Sequence, residues 1–463
     1  MHKPLANALD IDFRGGLTDK VTPHAGVALL IETGRRSGVI AAAERALPSK
    51  TSPKGLRQGE MVETLVLLSA LGGDCVDDLD GLRRDQGLAA LTGYLLPAAA
   101  TARQWLDRFH DPAMLADRPR QGSFIPAETV GLAGLRTAVE HSVQAYVIAV
   151  QPERTVTLDV DAHIVESSKR EARPTYTGDR GYQPLLVTWA ETGLVLADEF
   201  RDGNVPASAN IKEVVDTAAA ALPYRPEGWA IRVRSDSAAY EHDVLDHWAG
   251  RGWTFAVSAD MSPQLRAAVA ALPEEAWQPW AEERGGVVRE WAEVAYVPSR
   301  TAERKDQPPS RYGAIRVRQT QGRLFGEGTP VKHFAVVSND WQRDGQALLE
   351  WQRGKAGTIE HVNRVLKDEL AAGVYPSGKF GANAAWLRLQ VLTLNLLELL
   401  KAAGLDPELR PARPKRRRFA VFTQFGRVVD HARLRIMRVA VAALRSLVDP
   451  VLGRLRRCPW PAT

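Results

Sequence analysis

Apolar residues recur at three- and four-residue spacing between residues 25 and 115, in AGVALLIETGRRSGVIAAAERAL, GEMVETLVLLSALGG and TARQWLDRFHD. That spacing predicts amphipathic helices, with Thr101 a candidate cap for the last. After a link containing Pro and Gly, LAGLRTAVEHSVQAYVIAV (132–150) continues the helical pattern. From 155 the period falls to two. TVTLDVDAH (155–163), YQPLLVTWA (182–190) and LVLADEF (194–200) predict a three-strand meander. Helix 211–222, strand 229–236, helix 240–251 and strand 253–259 follow, an alternation that predicts a mixed α/β sheet. Residues 260–330 break this rhythm and read as an inserted, strand-rich subdomain around the polar stretch TAERKDQPPSR. Strand KHFAVVSND (332–340) returns to the core, helices 344–370 and 383–403 close it, and PARPKRRR (411–418) reads as an exposed linker.

This reading divides the 463 residues into a helical region 1–150, a first core part 151–259, the insertion 260–330, a second core part 331–405 and a basic end 406–463. Hydrophobic content of 45% and charged content of 25% are globular values. Cys75 and Cys458 are too far apart for a CxxC metal pair and fit a reducing compartment. The N-terminus lacks an apolar secretion core, so a cytoplasmic protein is expected. AAWLRLQVLTLNLLELL (384–400) is interrupted by Arg388, Gln390, Asn395 and Glu398, which predicts a buried helix rather than a membrane span. The net charge of +5 hides an asymmetry. From residue 401 on there are 15 Lys and Arg against 4 Asp and Glu, a net +11, so the first 400 residues sum to −6. A basic end of that strength suggests a polyanion partner, nucleic acid in the first place.

Three acidic positions stand out against this framework. Asp159 and Asp161 lie two apart on one strand and so share a face. Asp236 ends the strand AIRVRSD, and Glu360 opens the helical pattern TIEHVNRVLKDEL. Carboxylates from separate elements, gathered at one point, suit hard divalent cations such as Mg²⁺. Each position also has an ordinary explanation: a strand-end turn for Asp161, an N-cap for Asp236, a helix-dipole partner for Glu360. Beside Glu360, Arg364 and Lys367 form a polar helix face that can approach a phosphate or serve as a surface pair.

The blocks around these acids carry a family resemblance. The chain has LDVDAH at 158–163, PTYTGDRGYQPLL at 174–186, Arg201-Asp202-Gly203-Asn204, Arg234-Ser235-Asp236-Ser237, Ile359-Glu360 with Arg364 and Lys367, and Asn383-Ala384-Ala385-Trp386-Leu387. In that order they resemble DDE-type transposases of bacterial insertion sequences, which are built on a ribonuclease-H-like core. The likeness extends upstream through LLSALGGDCVDDLDGLRRD and covers most of the chain. It implies an α/β fold with a ribonuclease-H-like mixed sheet, flanking helices, a strand-rich insertion and a helical N-terminal region for DNA binding or dimerisation. It assigns the acidic triad to Asp161, Asp236 and Glu360, with Asp159 second to Asp161, because a small residue follows Asp161 as in the family's block. His163 stands where the family commonly has Thr; a solvent-facing or turn-satisfying imidazole is the expected role.

The implied activity is binding of terminal inverted repeats, cleavage of double-stranded DNA at the element ends, and joining of 3′-hydroxyls to target DNA. The implied cofactor is a pair of Mg²⁺ ions, replaceable by Mn²⁺, on Asp161, Asp236 and Glu360. A homodimer assembled on DNA is expected, with no membrane partner. A metal-dependent nuclease or recombinase using the same acids, and an inactive DNA-binding protein, stand as alternatives. No GxxxxGK[ST], HExxH or GxGxxG occurs, so no nucleotide cofactor is expected. Lys415, Arg416, Arg417 and Arg418 are expected to contact phosphates without reading sequence. TARQWLDRFHD is either part of a helix-turn-helix or a plain bundle helix. Trp277, Trp280 and Trp291 are expected chiefly in the core.

Overall fold

The computed structural model describes residues 20–50, 52–224, 228–280, 287–298, 309–319, 331–431 and 434–461. The first half of the chain is helical, as the spacing predicts. Its longer helices are α1 (Ala28–Arg36), α2 (Val39–Ala46), α3 (Gln58–Ala70), α4 (Ala99–Asp107) and α5 (Val130–Val150). The hydroxyl of Thr129 caps α5 by accepting from the Leu132 N–H, and Gln151 ends it in the left-handed conformation at φ 50°. Thr101 lies inside α4 rather than capping it.

One large sheet follows. Its strands in chain order are β1 (Thr155–Ala162), β2 (Leu185–Trp189), β3 (Leu194–Glu199), β4 (Ala230–Ser235), β5 (Thr254–Ala259), β6 (Gln278–Trp280), β7 (Val287–Val294), β8 (Arg311–Gln319) and β9 (Val331–Ser338). Across the sheet they run β6-β7-β8-β9-β5-β4-β1-β2-β3. The meander β1-β2-β3 is antiparallel, and β4 and β5 lie parallel to β1 and to each other. The resulting order β3-β2-β1-β4-β5, with helix α6 (Ile211–Ala220) before β4 and α7 (His242–Gly250) before β5, is that of a ribonuclease-H-like core. Central β1 is buried on both faces from Val156 to Val160, so its alternation reflects chemistry rather than exposure. Between β1 and β2 the chain makes a small sheet of its own from Val165–Glu166, Arg173–Pro174 and Arg180–Tyr182.

Residues 260–330 do supply strands, but not a sheet apart from the core. Through β9, which is antiparallel to β5, strands β8, β7 and β6 extend the core sheet at its β5 edge. Residues 281–286, 299–308 and 320–330, and with them most of TAERKDQPPSR, lie outside the described residues. Trp280 and Trp291 are buried with Val336, Leu348 and Leu349 in a satellite cluster, while Trp277 is half-buried under the Arg316 guanidinium.

After β9 come α8 (Gly345–Arg353), α9 (Lys355–Glu369) and α10 (Phe380–Ala403). Helix α10 is buried along nearly its whole length, packed between α5, α3 and α1 on one side and β3 on the other. Its interrupting polar residues therefore need partners, and three of the four have them; the exception is Gln390, whose amide oxygen and nitrogen are both buried without one. Arg388 binds Asp198 and Glu128. Asn395 accepts from the Val195 N–H and donates to the Val195 carbonyl, both at 2.9 Å, and donates to Ser142 Oγ at 3.0 Å. An edge strand's free backbone is thereby satisfied by a side-chain amide. The helical first half and the sheet consequently share one continuous apolar core. No described helix is long and apolar enough to cross a membrane.

The C-terminal region departs from expectation. PARPKRRR is not an exposed linker. Arg417 is 3% exposed and donates to Glu398 Oε1 at 2.6 Å and to the Leu397 carbonyl at 2.8 Å. Arg418 donates to the carbonyls of Ala70, Ser69 and Glu369. Farther on, Gly426–His431 pairs with both Leu434–Val439 and Val21–Thr22, bringing the two ends of the described chain into one small sheet.

Candidate active site

Strands β1 and β4 lie side by side in parallel register, with Asp159 beside Arg234. The two side chains meet: Arg234 Nε and Nη2 donate to the Asp159 carboxylate at 2.6 and 2.8 Å. Thr358 Oγ1, from the first turn of α9, donates to the same carboxylate. Asp159 is 0% exposed. Its oxygens are thus committed to a buried ion pair, which places it beneath the site as a support. Arg234 also donates to the Trp351 carbonyl at the end of α8, tying both helices to the sheet.

Two residues farther along the same face, Asp161 is partly open to solvent. It accepts from Lys355 Nζ at 3.2 Å and from Asn363 Nδ2 at 2.9 Å. Asp236 follows the last residue of β4 and is exposed; its Oδ1 accepts from the Ala238 N–H at 3.1 Å, so it does cap the turn Ser237–Ala239. Glu360 sits exposed in the second turn of α9. Its helix buries Ile359, Val362, Leu366 and, on the side facing β1, Lys355 and Asn363.

The three acids share an electrostatic field. Burial pushes the Asp161 carboxyl above its ordinary value, Lys355 pulls it back, and the charges of Asp236 and Glu360 push it up again. Among the described residues no three His, Cys, Asp or Glu side chains close around a common point. The donors are all carboxylate oxygens, the type a hard divalent cation takes, and the mutual repulsion felt by Asp161 is what such a cation relieves. Lys355 already sets a positive charge on Asp161. The residues present therefore fit the implied metal in donor type and in charge.

The neighbours divide into outward and inward groups. Arg364 and Lys367 are exposed on α9, with Arg364 within 3.2 Å of His361. Lys415 and Arg416 are exposed, whereas Arg417 and Arg418 point into the protein. Two of the four residues expected to contact phosphates are thus already engaged, because carbonyls and Glu398 use the guanidinium groups of Arg417 and Arg418. His163 does not face solvent freely. Burial, with help from Lys367, pushes its imidazole down to about 4, and its Nδ1 is buried without a partner. The helix α4 is a bundle helix: Ala102, Trp105 and Leu106 are buried, and the Trp105 indole donates to Gln58 at 2.6 Å.

Lys355, Thr358 and Asn363 are the site residues that reading the sequence missed. The signal was present. Lys355, Ile359 and Asn363 fall at i, i+4 and i+8 of one stripe, so two polar residues interrupt the face α9 buries.

A sequence model of the family described as Transposase DDE domain group 1 matches residues 3–460. No curated protein matches the chain. Among solved structures, a cryo-EM structure of the piggyBac transposase synaptic complex with hairpin DNA is similar at 11% identity and a TM-score of 0.42, covering 85% of this chain and 80% of that one. With the family match running over nearly its whole length, the chain belongs to the DDE transposases of group 1.

Proposed function

We propose that this transposase binds the terminal inverted repeats of its element, cuts double-stranded DNA at their ends and joins the 3′-hydroxyls to a target. The observation that carries the reading is the placement of Asp161, Asp236 and Glu360, at the ends of two neighbouring parallel strands and on the helix packed across them, near enough that the charges of Asp236 and Glu360 add to the burial that raises Asp161. Asp161, Asp236 and Glu360 would hold two Mg²⁺ ions, or Mn²⁺ in their place, which when bound polarise the scissile phosphate and the attacking oxygen. The protein's own residues do the positioning. Arg234 and Thr358 fix Asp159, and through it the β1–β4 register that sets Asp161 beside Asp236. Lys355 and Asn363 hold the Asp161 carboxylate in one orientation. Arg364 and Lys367 line the exposed face of α9 next to Glu360 and supply phosphate contacts, as do Lys415 and Arg416. Exposed Arg103 and Gln104 on α4, with Arg108 just after it, make the helical region the proposed reader of the repeat. Coordinated cutting of two ends calls for at least a homodimer on the DNA, acting in the cytoplasm.

The test uses a supercoiled plasmid carrying the gene with its native flanking DNA, incubated with purified protein and Mg²⁺. Wild-type protein should release end-cut DNA. Asp236→Asn and Glu360→Gln should bind the same DNA without cutting it. Cutting by Asp236→Asn at the wild-type rate overturns the assignment. Cutting without any joining to target, under all divalent ions, would favour a nuclease.

A further inference from the structure

The face of the sheet that holds Asp159 and Arg234 does not end at the acidic site. Arg234 lies beside Ala256, and two residues on Ser258 is opposite Val336. Phe334 is opposite Ile315, Lys332 opposite Val317, and Val317 opposite Arg289. Paired residues share a face and alternate residues return to it. Lys332, Phe334 and Arg289 therefore project on the same side as Asp159 and Arg234. They line an open groove of about 600 Å³ together with Arg353, from the end of α8. The groove reaches Ser237, the residue after Asp236, where one carboxylate, Asp260, also lines it.

Two features set this groove apart from an ordinary solvated surface. Its cations are uncompensated: among the described residues Arg289, Lys332 and Arg353 form no ion pair, and Arg289 adds its field to the burial that lowers Arg353. On the opposite face of the same strands, Arg316 is paired with Glu290 and Glu274 at 2.7 and 2.6 Å, and Arg318 with Glu290 at 2.5 Å. On the groove side Arg311, at the start of β8, is paired with Glu293, so the cations left without a carboxylate are those at the groove itself. The second feature is the floor. Phe334 is 50% exposed amid Ile315, Val317 and Val336, a large apolar surface between three positive charges.

We propose that this groove holds a single-stranded stretch of DNA running on from the acidic site, with its phosphates on Arg289, Lys332 and Arg353 and a base stacked on Phe334. The inference rests on the transposase reading above and extends it to the form of the DNA beside the cut. Uncompensated cations with an exposed aromatic are the pairing that unpaired nucleic acid uses, because a duplex keeps its base faces stacked away from the protein. Four strand spacings separate β4 from β7, roughly 19 Å at ~4.8 Å each, with Phe334 about halfway. At ~3.4 Å per nucleotide that is a path of about five or six nucleotides.

The test measures fluorescence anisotropy of the full chain with a labelled mixed-sequence 12-nucleotide single strand and with a 20-base-pair duplex. The triple variant Arg289→Ala, Lys332→Ala, Arg353→Ala should lose single-strand affinity roughly tenfold or more. Its log-affinity against log-salt slope should flatten by about 2, at ~0.7 per phosphate contact. Phe334→Ala should weaken single-strand binding by roughly 5- to 100-fold, and Phe334→Trp should retain it. Melting curves confirm that the variants are folded. If the triple variant does not fold, Lys332→Gln at its exposed position tests the same groove. Unchanged single-strand binding by these variants, or a loss confined to the duplex, overturns the proposal while leaving the transposase reading intact. A wild-type protein that binds neither DNA overturns both.

Discussion

Asp159 and Arg234, neighbours across the β1–β4 pairing, are both buried and joined by two hydrogen bonds, while Asp161, one alternation along the strand, is left partly open. Identical residue types on one face thus have different work. Arg234→Ala strands a buried carboxylate and should cost about 3–5 kcal/mol of stability. Asp161→Asn should shift the urea midpoint little and abolish DNA cutting. Equilibrium unfolding of both variants checks this; an Arg234→Ala protein as stable as wild type would remove Asp159 from its supporting role.

Lys355 should matter most when no metal is present. Its ammonium is the cation beside Asp161, which otherwise faces the charges of Asp236 and Glu360. Lys355→Met should therefore lower stability by roughly 1–3 kcal/mol in chelator, the cost of leaving a buried polar group without its partner. Mn²⁺ should restore much of that loss. Thermal melts with EDTA and with Mn²⁺ give the comparison, and an equal deficit in both would refute the idea.

Glu128 links the loop before α5 to Arg388 in the buried helix and to Arg136 on α5. Burial pushes its carboxyl up, but the two arginines outweigh burial and hold it below its ordinary value of 4.5. With the folded value depressed, the stabilisation is present above about pH 4.5 and is lost as pH falls through the folded value. Glu128→Gln should be less stable than wild type by roughly 1.5–3 kcal/mol at pH 7. The gap should close below pH 4.5. A gap that persists unchanged to pH 3 would contradict the ion-pair account.

Asn395 should behave as part of the sheet. Replacing it with Ala leaves the Val195 N–H and carbonyl unpartnered in the core, at a cost of roughly 2–3 kcal/mol. Asn395→Asp keeps an acceptor but loses the donor and buries a charge, and should be worse. Urea midpoints rank the two; Asn395→Ala matching wild type would mean that another group satisfies the strand.

The five core strands and α9 could be read from the chain because their periods differ and each runs for five residues or more. Asp161, Asp236 and Glu360 were readable as candidates because each acid ends or opens such a run. Residues that act through tertiary partners were not. Lys355 and Thr358 look like ordinary helix-start residues until β1 is placed beneath them. Arg417 and Arg418 look like the rest of a basic run; only the positions of Glu398 and five backbone carbonyls divide that run into two outward and two inward residues. Strands of two or three residues, such as Val165–Glu166, carry no period to detect. The alternation in β7 and β8 was visible, but nothing local says that they join the core sheet through β9 rather than forming a sheet of their own.

Helix α10 also sets a timetable. During synthesis, α5 is complete once residue 150 has been added, yet the apolar side it turns toward α10 has no cover until residue 403 follows. At about 5–20 residues per second that wait is on the order of 10–50 s. Glu360 emerges in the same late interval. A nascent chain therefore carries an uncovered helical layer until α10 has been added, and the three acids are not all present until Glu360 has been. Ribosome-bound chains stopped before α10 should be the form most dependent on chaperones.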